Sequence, residues 1–307
     1  MTTSVANAVA TLRGLTAKFD TSYQSATPIY PKFSTVIPSK GVNEQYGFLG
    51  AVPGIREWLG DRIFKSLGAA QFTIANKEWE SSLAILKNDI DDDRLGMYGP
   101  VLQNMAVEAA FHPDELLFDL IQAGGATACF DGQYFFDTDH SWGSSGTQSN
   151  ALTATVASTS APTEAEFRTA YHAARAAMLG FKRDNGKLFH RPTVEPLTDL
   201  VLLIPSAMEE VAHKALMKTL VSAGETNIIL DRPQIITVPY FTSGIKFWLV
   251  RTGQPLQPFV FQARRPLARQ MKGMDDREFK DVKFMTDARY NMGYLAWWNA
   301  VQTTLST

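Results

Sequence analysis

The segment Cys129–His140, CFDGQYFFDTDH, gathers side chains that can do chemistry. Asp137, Asp139 and His140 offer carboxylate and imidazole groups, with Asp131 and Cys129 close by, and metal sites use such groups together. A metal-dependent hydrolase would use such a set to activate water. The pattern is incomplete for that purpose. No second His stands at the spacing of an HExxH helix, and no nucleophile is defined. Asp and His flanked by Gly and Phe are more often turn caps and hydrogen-bonded loop residues, so a structural role is expected for the block.

Asp89–Asp93, DIDDD, clusters oxygen ligands of the kind calcium prefers, but it lacks the Gly and Glu spacing of an EF-hand loop. It reads as a solvated acidic turn before a helix, where negative charge suits the N-terminal dipole. His112, His172, His190 and His213 stand in no Ser/His/Asp motif, and neither a G-x-S-x-G elbow nor a G-x-x-x-x-G-K-[ST] loop occurs. The expectation is a protein that is not an enzyme, with no catalytic residues, no cofactor and no metal.

The elements that carry these residues follow from pattern. Residues 1–47 are rich in Ser, Thr, Ala and Pro, with a helix-compatible piece at Val5–Phe19 and an extended path marked by Pro28, Pro31 and Pro38. From Arg94 to Ala123, apolar residues recur at three- and four-residue spacing, which predicts a long helix kinked or divided at Pro113 and stopped at Gly124-Gly125. Gly143–Pro162 reads as a surface loop. Thr163 and Glu166 have capping-box spacing before an apolar stripe from Phe167 to Met178. Asp199–Pro205 reads as a strand covered on both faces, and Ser206 opens a helix through Leu220. Asn227–Leu230, Gln234–Val238 and Lys246–Arg251 read as further strands. Phe279–Thr286 and Arg289–Val301 read as two more, parted by Asp287-Ala288. The whole is α+β.

Between these, Phe72–Ile74 and Glu78–Leu86 read as a hairpin joined at Ala75-Asn76-Lys77, with Trp79, Leu83 and Ile85 on one face. A lone two-stranded hairpin is marginal in water, so a neighbouring subunit is expected to cover it.

The blocks REWLGDR (Arg56–Arg62), IANKEWE (Ile74–Glu80), DIDDD, HPDEL (His112–Leu116) and CFDGQYFFDTDH occur in one order, and together they span the first half of the chain. In this the chain resembles the major head (capsid) subunits of Mu-like tailed phages, a family with the Hong Kong 97-type capsid fold. The second half matches more loosely, by its order of elements and aromatic-rich end. The resemblance implies an N-terminal arm at 1–47 and an extended hairpin loop at 48–93. It implies a peripheral domain of spine helix and C-terminal strands at 94–125 and 263–307, and an axial domain at 126–262. It implies a major capsid protein that self-assembles into hexamers and pentamers of an icosahedral head enclosing double-stranded DNA. Expected partners are other copies of itself, scaffold, protease and portal proteins during assembly, a decoration protein, and DNA held by weak non-specific contact. The alternatives are a nanocompartment shell of the same fold and a metal-dependent hydrolase.

Composition agrees with a shell. Of 307 residues 45% are hydrophobic, and 29 Lys+Arg against 31 Asp+Glu leave a formal charge of −2. That balance argues against a surface built for tight sequence-independent DNA binding. Cys129 is the only cysteine, so no intrachain disulfide forms, which fits assembly in a reducing cytoplasm before incorporation into the virion. No apolar run reaches the roughly 20 residues of a membrane span, and MTTSVANAVATLRG lacks a secretory signal's basic start.

Charge is unevenly placed. Asn76–Asp93 holds six acids against Lys77 and Lys87, whereas Gln262–Thr307 holds eight bases against five acids. The acidic hairpin is therefore expected to meet a neighbour's Arg264, Arg265 and Arg269, with exposed pairs worth about 0–1 kcal/mol each. The expected inter-subunit contacts are Trp58, Arg62, Phe72, Ile74, Lys77, Glu78, Trp79, Glu80 and those three arginines.

Overall fold

The computed structural model describes residues 2–47, 71–92, 95–191, 197–218, 229, 232–272 and 280–307. The chain opens with a 24-residue helix, α1 (Thr2–Ser25). Leu12, Leu15 and Phe19 recur on one of its faces and are buried against Leu102 and Ala106 of α4 (Tyr98–Gln122) and against Ile85, Val282 and Phe284. Through Leu12, Leu15 and Phe19 the second half of α1 packs on its own chain. The cause is an apolar stripe that α4 and the sheet beneath can cover without a neighbour. A short α2 (Tyr30–Phe33) then leads into β1 (Ser34–Pro38).

Two sheets organise the rest. The first has order β1-β9-β10-β4, built from β1, β9 (Phe259–Lys272), β10 (Asp281–Tyr294) and β4 (Lys77–Leu86). In β10 Val282, Phe284, Thr286, Ala288, Tyr290 and Met292 face inward toward α1 and α4 while the residues between them are half-exposed or exposed, the period-2 pattern of a half-covered strand. The strand runs continuously through Asp287-Ala288, and the expected break there is a β-bulge in its pairing with β9.

The second sheet has order β5-β11-β8-β6-β7, from β5 (Ala151–Thr155), β11 (Ala300–Ser306), β8 (Lys246–Arg251), β6 (Leu200–Ile204) and β7 (Gln234–Thr237). All five residues of β6 are buried, as its uninterrupted apolar run predicts. The capping box at Thr163 starts α5 (Glu164–Gly180), whose Phe167, Ala170, Tyr171, Ala174 and Met178 are buried, beside α6 (Glu209–Met217).

Three expectations need correction. β5 lies inside the segment read as a loop, because ALTAT gains its strand character only from parallel pairing with β11. β11 crosses back into the five-stranded sheet, so the C-terminal strands do not all belong with the spine helix. The predicted 72–86 hairpin does not form. β3 (Gln71–Ala75) pairs with β2 (Asn43–Gly47), while β4 pairs over its full length with β10. The real two-stranded ribbon is β2–β3, which brackets residues 48–70, and β4 finds its partner surface within the chain. The expected Asn227–Leu230 strand falls largely outside the described residues, with only Ile229 among them.

α4 continues through Pro113 as one 25-residue helix, about 37 Å long at 1.5 Å per residue, where a kink or division was expected. Asp114 beside it takes a different role from the expected helix start. Its carboxylate accepts the backbone N–H groups of Ile29 and Tyr30 at 2.7–3.0 Å, tying the end of the N-terminal segment to α4. Burial pushes this carboxyl above the ordinary range, although the two N–H donors oppose that. A five-residue α3 (Lys87–Asp91) links β4 to α4, and Tyr98 donates from its hydroxyl to Asp89 at 2.7 Å.

Candidate assembly surface

Of the residues whose types could do chemistry, His140 and Asp131 meet, while the Asp137 and Asp139 carboxylates do not join them. Asp137 serves a turn, its carboxylate accepting from Tyr134 N at 3.1 Å and Thr138 N at 2.7 Å. Asp139 is exposed. His140 is fully buried, its ring stacked on Trp297 at 4.0 Å and 8°. Its Nδ1 lies 2.7 Å from Asp131 Oδ2 and its Nε2 3.2 Å from Asn150 Oδ1. Asn150 is buried too, and its Nδ2 donates to Phe135, Trp297 and Ala300 carbonyls, which fixes its oxygen toward His140 and Asp137 N. Both ring nitrogens are therefore occupied by protein oxygens. The block ties the loop over 129–150 to the start of β11, as a structural reading expects. Burial pushes the Cys129 thiol far up, so it is not poised as a nucleophile.

A second buried network lies nearby. Arg251 donates from Nε to Asp199 at 2.8 Å and its Nη1 sits 2.8 Å from His190 Nδ1, while His190 Nε2 faces the Trp298 carbonyl at 3.2 Å. The guanidinium can only donate, so Nδ1 is the acceptor and Nε2 carries the proton. Burial holds His190 down at about 4, neutral under ordinary conditions.

The base of the β2–β3 ribbon is locked onto β9 and β10. Ile74 is buried against Gly293, where any Cβ would stand 2.4 Å from the Ile74 Cδ1, so only glycine allows this approach. Asn291 Nδ2 donates to Ala75 O at 2.7 Å and Gln262 Nε2 to Ile74 O at 3.2 Å. Glu44 accepts from Lys40 N, Gly41 N and Ser39 Oγ at 2.6–3.0 Å, and these bonds hold its carboxyl below the ordinary range. Asn76 Nδ2 bridges Ser39 Oγ and Gly41 O. Sequence reading missed Glu44, Gln262, Asn291 and Gly293. A glycine inside an otherwise alternating strand was the available signal for Gly293.

Of the expected contact residues, Trp58 and Arg62 lie outside the described residues. Phe72 and Ile74 sit on β3 and pack toward the core. Trp79 turns toward α4, donating its Nε1–H to Tyr290 O at 3.0 Å and meeting His112 edge-on at 4.3 Å. Lys77, Glu78 and Glu80 are exposed. Arg264, Arg265 and Arg269 already have partners in their own subunit: Ser39 O at 3.2 Å, Asp287 at 2.6 Å and Asp20 at 2.5 Å. Glu78 lies 3.8 Å from Arg289. Arg265–Asp287 and Arg289–Glu78 are pairs between adjacent strands of one chain, whereas Arg269 reaches across to α1.

Two mixed sheets, a long helix under one of them and a two-stranded ribbon bracketing an apolar 23-residue span define the α+β capsid fold of the Hong Kong 97 type. The subunit in the procapsid of bacteriophage JBD30 has the same fold, with a TM-score of 0.56 and 26% identity over 97% of this chain and 76% of that one. Residues 9–167, 158–241 and 242–306 match the family described as Mu-like prophage major head subunit gpT, and the chain belongs to that family. It is 39% identical over 127 residues to the Mu-like prophage FluMu major head subunit of Haemophilus influenzae, and 39% over 122 residues to the major capsid protein of Escherichia phage Mu. Those alignments cover 41% and 40% of each relative, so the chain spans about two fifths of the curated relatives it matches.

Proposed function

We propose that this chain is the repeating subunit of an icosahedral tailed-phage head, assembling into hexamers and pentamers around double-stranded DNA. The observation that carries the reading is the pinned base of the β2–β3 ribbon together with what the ribbon brackets. Residues 48–70 include Phe48, Leu49, Val52, Ile55, Trp58, Leu59, Ile63, Phe64 and Leu67, more apolar surface than a surface loop needs. A rigid base carrying an apolar extension is suited to burying that surface on another copy. Trp58 and Arg62 are the inter-subunit contacts proposed on it. In this reading the four-stranded sheet with α1 and α4 is the peripheral unit, and the five-stranded sheet with α5 and α6 is the axial one.

The role is structural rather than catalytic, and the engagement of both His140 nitrogens supports that over the hydrolase alternative. Scaffold, protease, portal and decoration proteins are the further partners proposed, with assembly in the host cytoplasm and residence in the virion. No described helix is long and apolar enough to cross a membrane. Electron microscopy of the purified protein, alone and with its scaffold, is the test. Closed shells of uniform size are expected, whereas a persistent monomer with stoichiometric metal would overturn the reading. Co-purifying enzyme cargo inside the shells would favour a nanocompartment.

A further inference from the structure

A cleft of about 330 Å³ opens between α4 and the inner face of the four-stranded sheet, beside β4. Its aromatic wall is Trp79, His112 and Tyr290, held rigid by the Trp79 bond to Tyr290 O and by His112 Nδ1, 2.7 Å from the Tyr290 hydroxyl. Glu80, Glu108 and Glu115 also line it, and among the described residues no Lys or Arg does. Burial holds His112 below the ordinary histidine range, so it adds no opposing charge at neutral pH. Lys77 stands 6.0 Å over the Trp79 ring centroid, one cation beside the three carboxylates that line the cleft. Aromatic faces ringed by carboxylates attract a cation on an apolar stem.

The same chain carries a fitting group elsewhere. β9 and β10 each run 14 residues, about 45 Å at roughly 3.3 Å per residue, and the outer half of β9 is largely exposed. Lys272 and Lys280 stand exposed at that outer end, and among the described residues neither forms an ion pair. We propose that the aromatic and acidic cleft of one subunit receives Lys272 or Lys280 from a second copy of this chain. The contact is head-to-tail, from the cleft of one copy to Lys272 or Lys280 of the next, the kind that closes into rings. This inference rests on the shell-subunit reading.

A zero-length carboxyl-to-amine cross-linker tests it, applied to shells assembled from equal parts of ordinary and nitrogen-15-labelled subunit. Peptides joining Glu80, Glu108 or Glu115 to Lys272 or Lys280, with mixed labels, are expected. The double variant Glu108→Gln/Glu115→Gln should lose them and need about tenfold more protein to assemble. Lys272→Gln/Lys280→Gln, which alters only exposed residues, should raise the threshold alike. Shells that form without mixed-label cross-links, or unchanged thresholds in both variants, would overturn the proposal while leaving the shell reading intact. Wild-type protein that never forms shells would sink both.

Discussion

The two sheets of this subunit satisfy their strands in different ways. In the five-stranded sheet β6 is wholly buried and β8 nearly so, and the two buried histidines beside them are held internally: His190 by Arg251 and Trp298, His140 by Asp131 and Asn150. In the four-stranded sheet β10 buries one face, most of β9 from Arg264 to Lys272 is exposed, and among the described residues the β2–β3 ribbon is held through Ile74 and Ala75 at its base. One sheet spends its side chains on holding the subunit together. The other leaves a face, an edge and a cleft for something outside it. Stability and assembly should therefore separate by region, and each experiment below strains that separation.

The largest effect expected is on assembly. Replacing residues 48–70 by an Asn-Gly turn can close the ribbon, because Gly47 pairs with Gln71. The subunit should stay folded by circular dichroism yet form no closed shells; normal heads would break the comparison. Removing residues 71–83 instead should unfold the subunit, because it would strip β3 and most of β4 from the sheet.

Next in size is the pH response of the five-stranded region. His190 is held at about 4 in the fold against an ordinary value near 6.5. Between those values the unfolded chain binds a proton that the folded chain refuses, so stability falls as pH drops through this window. The loss should reach about 3 kcal/mol by pH 4 at roughly 1.4 kcal/mol per unit. His190→Gln should flatten that part of the stability curve measured by denaturant titration, and an unchanged slope would refute the assignment.

His140→Ala should lower stability by about 1–3 kcal/mol, since it leaves the buried Asp131 carboxylate and Asn150 oxygen short of a partner. The fall should appear in Tm with the assembly threshold of the surviving fold unchanged. Metal bound stoichiometrically by wild type and lost in this variant would revive the hydrolase alternative.

Gly293→Ala should act mainly the other way. Its Cβ would meet Ile74, and overpacking costs about 1–3 kcal/mol. Loosening the ribbon base should impair assembly, and adding Ile74→Val should recover part of it. The smallest effect is expected from Glu78→Lys, because Glu78 is exposed and pairs at 3.8 Å with Arg289. A change in assembly yield visible only at low salt would fit an exposed pair. A large change at every salt concentration would show that Glu78 faces another subunit directly.

Much of the framework was legible before any coordinates. The apolar spacing from Leu102 to Ile121, the Thr163–Glu166 capping box and the apolar run at 200–204 each name their own element, because each depends on near neighbours in sequence, whereas the alternation of 281–294 reads as strand but broken at Asp287-Ala288. The turn-serving nature of Asp137 could also be read locally. Which strand pairs with which could not. Trp79, Leu83 and Ile85 declared an apolar face correctly, yet nothing near them in sequence reveals that β10, some two hundred residues on, would pair with their strand. The same holds for β5, which is a strand only because β11 returns to it, and for Leu12, Leu15 and Phe19, whose stripe fits an arm on a neighbour as well as a helix on α4. Sequence by itself determined the local periods, the caps and the family. Tertiary structure alone decided the long-range partners, and with them which apolar faces are spent inside the subunit and which remain for assembly, since burial depends on where the chain returns and not on the order of its residues.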